Sequence, residues 1–435
     1  MVGRVLVTAV WFAVLVPSAS AATTVRVLSA RLIGDRGHDY SSSQLIVRGD
    51  DAGSRLRLAS GADGSVTVSD TAGVTVGKGC ALQADGSARC TFPYPQPSVI
   101  VETAGGDDHV LVAVPRAVVF GGPGADTLEG FLPWTEIGHH FDGGSGDDVI
   151  RGSGTLDGGP GRDVLLGGPG QDRLNGDGKA PLEPDVIDGG DGPGDWVVFE
   201  GASTPVAVDL ADPGPDGGDS VTNVERAVGG AGDDRLVGTD GDNWLDGGEG
   251  DDVVVGRGGD DRVSGSEGDD TLDGGAGDDR LEGQSGRDRI TGGEGDDQLL
   301  PGRGRGVVTC DAGTDWLVDP GLRMAVLGDC ERVTVDFFDL TRIRLGRTLR
   351  FSLQYLRQIS PPCRTNLTVL RGTRVVATKS IRAPDYRVHR VAVPLRGSGP
   401  ARLVFRSAEN CRTRSGGPLR GGLTVNMRVN VHADR

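Results

Sequence analysis

Residues Gly274 to Leu300 read GGAGDDRLE GQSGRDRIT GGEGDDQLL, three nine-residue lines in which glycine, aspartate and one aliphatic residue keep their columns. The register extends backwards without a gap. Lines starting at Gly229, Gly238, Gly247, Gly256, Gly265, Gly274, Gly283 and Gly292 carry Gly at columns 1 and 4, Asp at column 6 and an aliphatic at column 8, with Asn243 at column 6 the one departure. A fixed period of this kind marks a stacked architecture in which each unit buries its apolar face against the next. Six turn residues and a three-residue strand return to equivalent geometry after two copies, so eighteen residues make one coil with two short parallel strands. Column 8 (Leu236, Leu245, Val254, Val263, Leu272, Leu281, Ile290, Leu299) points inward as a narrow aliphatic core, while columns 7 and 9 face outward. The fold class expected is all-β, a right-handed parallel β-roll.

Less regular copies lie upstream at Gly121, Gly143, Gly158 and Gly167. A shortened GSGTLD at Gly152–Asp157 and insertions at 176–184 and 198–228 interrupt the period, the latter with strand-like TPVAVDL and DSVTNVERAV. The organisation read from composition is a signal peptide at 1–21, an N-terminal antiparallel β domain at 22–104 and the roll at 105–300. A cap at 301–335 and a basic C-terminal β-sandwich at 336–435 complete it. Met1–Ala21 has Arg4, an apolar run and a terminal Ala19-Ser20-Ala21, the pattern of a cleaved secretory signal too short to span a bilayer. Six cysteines in an exported chain suggest local disulfides, Cys80/Cys90, Cys310/Cys330 and Cys363/Cys411, although sequence alone leaves the connectivity open.

Stacking brings column 6 of one coil near column 6 of the copy eighteen residues later: Asp234/Asp252, Asn243/Asp261, Asp252/Asp270, Asp261/Asp279, Asp270/Asp288 and Asp279/Asp297. Turn carbonyls without ladder partners stand beside them. Oxygen ligands in such number suit a hard cation, and calcium accepts about six to eight of them at about 2.3 to 2.6 Å, where zinc prefers nitrogen or sulfur. In these residues the chain resembles the repeats-in-toxin (RTX), or haemolysin-type calcium-binding, β-roll proteins. The resemblance spans roughly Gly105 to Leu300 and implies that each GGxGxD turn lends carbonyls and its final Asp to calcium ions lodged between coils. Carried over by motif, the metal ligands are Asp126, Asp148, Asp163, Asp172, Asp234, Asn243, Asp252, Asp261, Asp270, Asp279, Asp288 and Asp297. Column-5 acids such as Asp233, Asp251 and Asp278 read as solvated charge instead. Family members exported in one step usually lack a cleaved signal, which this chain has in pattern.

Charge divides the chain. Gly229–Leu300 holds 21 Asp/Glu against 6 Lys/Arg, net −15, whereas Asp336–Arg435 holds 20 Lys/Arg against 5 Asp/Glu, net +15. The acidic block is expected to stay loose until cations neutralise it, so folding should couple to calcium. The basic domain could meet an anionic cell-wall or surface polymer, but aromatics are too scarce there for a nucleic-acid stacking platform. Neither HExxH nor GxSxG occurs, and His139 and His140 are adjacent on an extended stretch, which sends them to opposite faces. No pore-forming apolar segment follows the signal. The expectation is a secreted, non-enzymatic calcium-binding structural or adhesive protein; the alternative is a secreted hydrolase or toxin that uses the roll as a stability module.

Overall fold

The computed structural model describes residues 23–318, apart from 34–38, 50–52, 93–97, 131–137, 178–182, 213–218 and 303–305, together with strand backbone between 325 and 431. For 25–43 it likewise gives backbone alone. The expected signal segment and Cys330 and Cys411 lie outside the described residues.

Every regular element described is a β-strand, as a chain with 74 glycines in 435 residues favours, since glycine weakens helices. The strands stack into a parallel β-solenoid of about eleven turns. One ladder is continuous. It runs in parallel from Ser98–Glu102 through Ala117–Pro123, His139–Ser145 and Gly154–Asp157 to Trp244–Glu249, Arg262–Glu267 and, at its far end, Arg332–Val335. The other face is split into two. Its first part runs from Arg55–Ser60 to Ser220–Thr222, and its second from Ala207–Asp209 to Ala325–Leu327. The segment 198–228 therefore supplies the last strand of one ladder and the first strand of the next.

Inside the roll the register keeps like on like. Leu245 faces Val263, Val263 faces Leu281, and Leu281 faces Leu299. All eight column-8 residues are at most 1% exposed. Each such burial contributes about 1.5 to 3 kcal/mol, and identical spacing lets every coil repeat the same packing. Several column-4 glycines are forced by close approach. Gly268 sits at φ +144°, and a Cβ there would stand against the Gly250 carbonyl oxygen of the coil before it.

Antiparallel hairpins occupy the N-terminal part, Arg55–Ser60 with Val66–Asp70 and Cys80–Leu82 with Ala88–Cys90, the latter closed by the Cys80–Cys90 disulfide. These strands also enter the roll. Gln44–Arg48 runs parallel to Ser98–Glu102, and Arg55–Ala59 parallel to His109–Ala113, so the ladders begin well ahead of residue 105. At the other end Val307–Thr309, Trp316–Val318, Ala325–Leu327 and Arg332–Val335 continue them, so four further strands stand where the sequence suggests a cap. Cys310 is buried and disulfide-bonded. From Arg332 onward successive strands pair antiparallel: Arg332–Val335, Phe338–Arg344, Thr348–Tyr355 and His389–Pro394 on one sheet, and Thr424–Val431, Gly399–Ser407, Cys363–Arg371 and Arg374–Ala383 on another.

Candidate metal centre

The turns that join the strands place the column-6 residues in two files, one along each edge of the roll. Within a file each carboxylate accepts, through Oδ1, the backbone N–H of the column-6 residue one coil earlier. All six pairs expected from the spacing are joined this way: Asp234 N–H to Asp252 and Asn243 N–H to Asp261, both at 2.8 Å, then Asp252 to Asp270, Asp261 to Asp279, Asp270 to Asp288 and Asp279 to Asp297 at 2.8 to 3.3 Å. The irregular copies at Asp126, Asp148 and Asp163 obey the same rule, whereas Asp172 and Asp234 accept the N–H of Gly154 and Val206. Asp108 donates to Asp126, Asp126 to Asp148 and Asp148 to Asp163 at 2.7 to 2.8 Å. All twelve expected ligands are at most 5% exposed.

The second oxygen divides them. In Asp126, Asp148, Asp163, Asp252, Asp261, Asp270, Asp279, Asp288 and Asp297, Oδ2 is buried without a hydrogen-bond partner. A buried carboxylate oxygen left so is costly and rare in a folded chain. It points at the column-1 glycine of its own turn: a Cβ at Gly274 would stand against Asp279 Oδ2 and 2.6 Å from the Gly292 carbonyl oxygen of the next coil. Carboxylate and carbonyl oxygens thus converge on a pocket that only a missing Cβ leaves open. Asp172, Asp234 and Asn243 differ, for each accepts an N–H from column 2 of its own turn: Gly168 at 2.8 Å, Gly230 at 2.6 Å and Thr239 at 2.7 Å.

Column 2 explains the split. In the open turns it is left-handed, at φ +109° in Gly248 and +107° in Gly275, and even the non-glycine residues Arg257 (+82°), Ser266 (+71°) and Gln284 (+59°) adopt it. That conformation costs an L-residue about 1 to 2 kcal/mol, so the fold holds these three there against local preference. Gly168, Gly230 and Thr239 are not left-handed.

Burial, the largest cause, raises these carboxyls. It pushes Asp148 up to about 8, Asp163, Asp252, Asp261, Asp279 and Asp288 to about 7, and Asp126, Asp270 and Asp297 to about 6. The accepted amide hydrogen bond opposes the shift, and neighbouring acids add to it. Rows of buried acids with unpartnered oxygens are suited to a hard divalent ion, and the donor set is oxygen alone.

These turns match the family model for the RTX calcium-binding nonapeptide repeat at residues 140–154, 151–178, 228–263, 255–289, 264–299 and 273–308. The repeat region is an RTX-type β-roll. Curated protein sequences give no match to the chain. Calcium is the ion that RTX repeats bind, and the residues that would hold it here are the nine open column-6 aspartates with the facing turn carbonyls.

Three RTX-like positions escape the sequence reading. Asp185 and Asp195 accept the N–H of Asp163 and Asp172 at 2.7 and 2.8 Å, and Asp315 accepts that of Asp297 at 3.1 Å. Only Asp315 is in phase, continuing the period of Gly292 with Gly313 at column 4 and Leu317 at column 8; Asp195 follows GGDGPG, one residue over length, and Asp185 follows an insertion. Column 5 also proves more than solvated charge. Although exposed, Asp233, Asp251 and Asp278 each accept the N–H of the column-5 residue one coil later, at 2.7 to 2.9 Å. The two columns therefore clamp successive turns in opposite directions. His139 is buried and stacked on Phe141 with ring centroids 5.0 Å apart, whereas His140 is only partly buried, so the adjacent imidazoles do not converge.

Proposed function

We propose that this protein is an extracellular structural or adhesive chain whose RTX roll folds on binding several calcium ions. The observation that carries the reading is the repeated buried, unpartnered Oδ2 of the open turns. Cation-free, these carboxylates repel one another in a thin core; an ion between coils turns that repulsion into cross-linking. Binding to the folded form alone stabilises it by mass action, so millimolar calcium, as outside cells, supports sites with dissociation constants of about 10⁻⁴ to 10⁻³ M. The roll then serves as a stiff spacer between its terminal β regions, and the basic C-terminal region is the part to meet an anionic surface polymer.

A calcium titration of the purified protein by far-UV circular dichroism and calorimetry tests this, with magnesium in parallel. The expected result is a cooperative gain of β signal with calcium at several ions per chain. No response, or an equal one to magnesium, would remove the calcium role.

A further inference from the structure

The roll's split face has its own acidic centre. Asp177 follows the strand Arg173–Asn175, Asp185 leads into Val186–Asp188, and Asp219 leads into Ser220–Thr222, the last strand of the first ladder. One carboxylate oxygen from each lies within 4.8 Å of the other two. Asp177 and Asp185 are both 2% exposed, and Asp219 is partly buried.

Hydrogen bonds use part of this set. Asp177 Oδ2 accepts the Glu183 N–H at 2.7 Å, Asp185 Oδ1 the Asp163 N–H at 2.7 Å, and Asp219 Oδ1 the Asp185 N–H at 3.0 Å. Asp177 Oδ1 and Asp185 Oδ2 remain buried without a partner. A Cβ at Gly176 would stand against Asp185 Oδ2, so Gly176 plays the part of a column-1 glycine. The nearby charges acting on Asp177 and Asp185 are other carboxylates, Asp219 and Glu183 on the first, Asp219, Asp177 and Asp163 on the second. Three such groups at this spacing require protons or a cation.

We propose that Asp177, Asp185 and Asp219 hold a divalent calcium-class ion where the file of repeat turns meets the inserted segment. Asp177 supplies a side-chain carboxylate at column 2, where an RTX turn offers backbone alone, and Asp219 arrives from the inserted segment. Two oxygens on one calcium stand at most about 4.6 to 5.2 Å apart, twice the metal–oxygen distance, and the cluster fits that limit. An ion here ties the chain at 177, 185 and 219 together. It fastens the end of one ladder where the other begins.

The test counts ions bound per full-length chain by equilibrium dialysis against calcium, for wild type, Asp177→Asn, Asp219→Asn and Asp270→Asn. The Asn side chains keep one acceptor oxygen and replace the other, with its charge, by an NH2 donor. Both Asp177→Asn and Asp219→Asn are expected to bind one ion fewer than wild type, and to be cut faster by protease between residues 201 and 219 in calcium. Asp270→Asn should weaken binding in its own repeat turn and leave that segment protected. An ion count and protection equal to wild type in Asp219→Asn, the partly exposed position, would overturn the proposal even if Asp177→Asn fails to fold. Wild type that binds a single ion, lost in Asp219→Asn, would sustain this site and sink the repeat-binding reading; wild type that binds none would sink both.

Discussion

The turns at Gly229 and Gly247 are written almost alike, GGAGDD and GGEGDD, and end differently. In the second, Gly248 is left-handed and Asp252 Oδ2 stays open; in the first, Gly230 is not, and its N–H closes on Asp234 at 2.6 Å. The cause lies one coil earlier. Gly248 rests on Gly230 of a complete glycine turn, whereas Gly230 rests on Ala202 of the inserted segment, and Ala231 donates to the Ala202 carbonyl at 2.7 Å. Asp172 follows the shortened coil at Ser153–Gly154, and Asn243 follows Glu225. In these three cases the turn stacked directly on an interrupted coil closes on itself.

The largest effect should come from the open turns together. Asp252, Asp270 and Asp279 changed to Ala are expected to abolish most of the calcium-induced β signal by circular dichroism and to raise the calcium midpoint by tenfold or more, about 1.4 kcal/mol per tenfold. A midpoint unchanged from wild type would undo the assignment of those carboxylates.

Acidification should act next. Open-turn carboxyls are raised in the folded, cation-free roll, Asp148 to about 8 and Asp252 to about 7, so that state binds more protons than the unfolded chain. Their contribution to stability is present below the unfolded carboxylate value near 4 and is lost as pH rises through about 6 to 8. Without calcium the roll should therefore gain β signal and melting temperature from pH 8 to pH 4; with calcium, which needs the ionised form, its midpoint should rise over the same fall in pH. A calcium-free melting temperature that increases with pH would contradict this.

A matched pair of variants separates the open turns from the closed ones. Asp252→Asn should weaken calcium binding several-fold by calorimetry, while Asp234→Asn, in a closed turn, should shift it less than about twofold. Equal losses would mean that closure does not exclude the ion. The smallest effect is expected from Thr239→Gly with Asn243→Asp, which restores the full consensus above an unchanged Glu225 coil. It should add no ion; one extra ion by equilibrium dialysis would move the decision from the stack to the turn's own letters.

Much of this was legible in the chain. Gly at columns 1 and 4 and an aliphatic at column 8 point to a two-strand coil, because six turn residues and a three-residue strand repeat their geometry after two copies, and the eighteen-residue pairs follow from it. The column-6 oxygens were legible as a set for the same reason. Asp185, Asp195 and Asp219 were not, since insertions moved them out of phase while the ladder, which needs only backbone pairing, carried them back into file. The letters of a nonapeptide thus settle its own coil: which residue is buried, which carboxylate turns inward, where glycine is compulsory. Whether that carboxylate stays open for a cation was decided by the coil stacked against it, and so was the meeting of Asp177 with Asp219, because both depend on contacts between turns that local sequence does not encode.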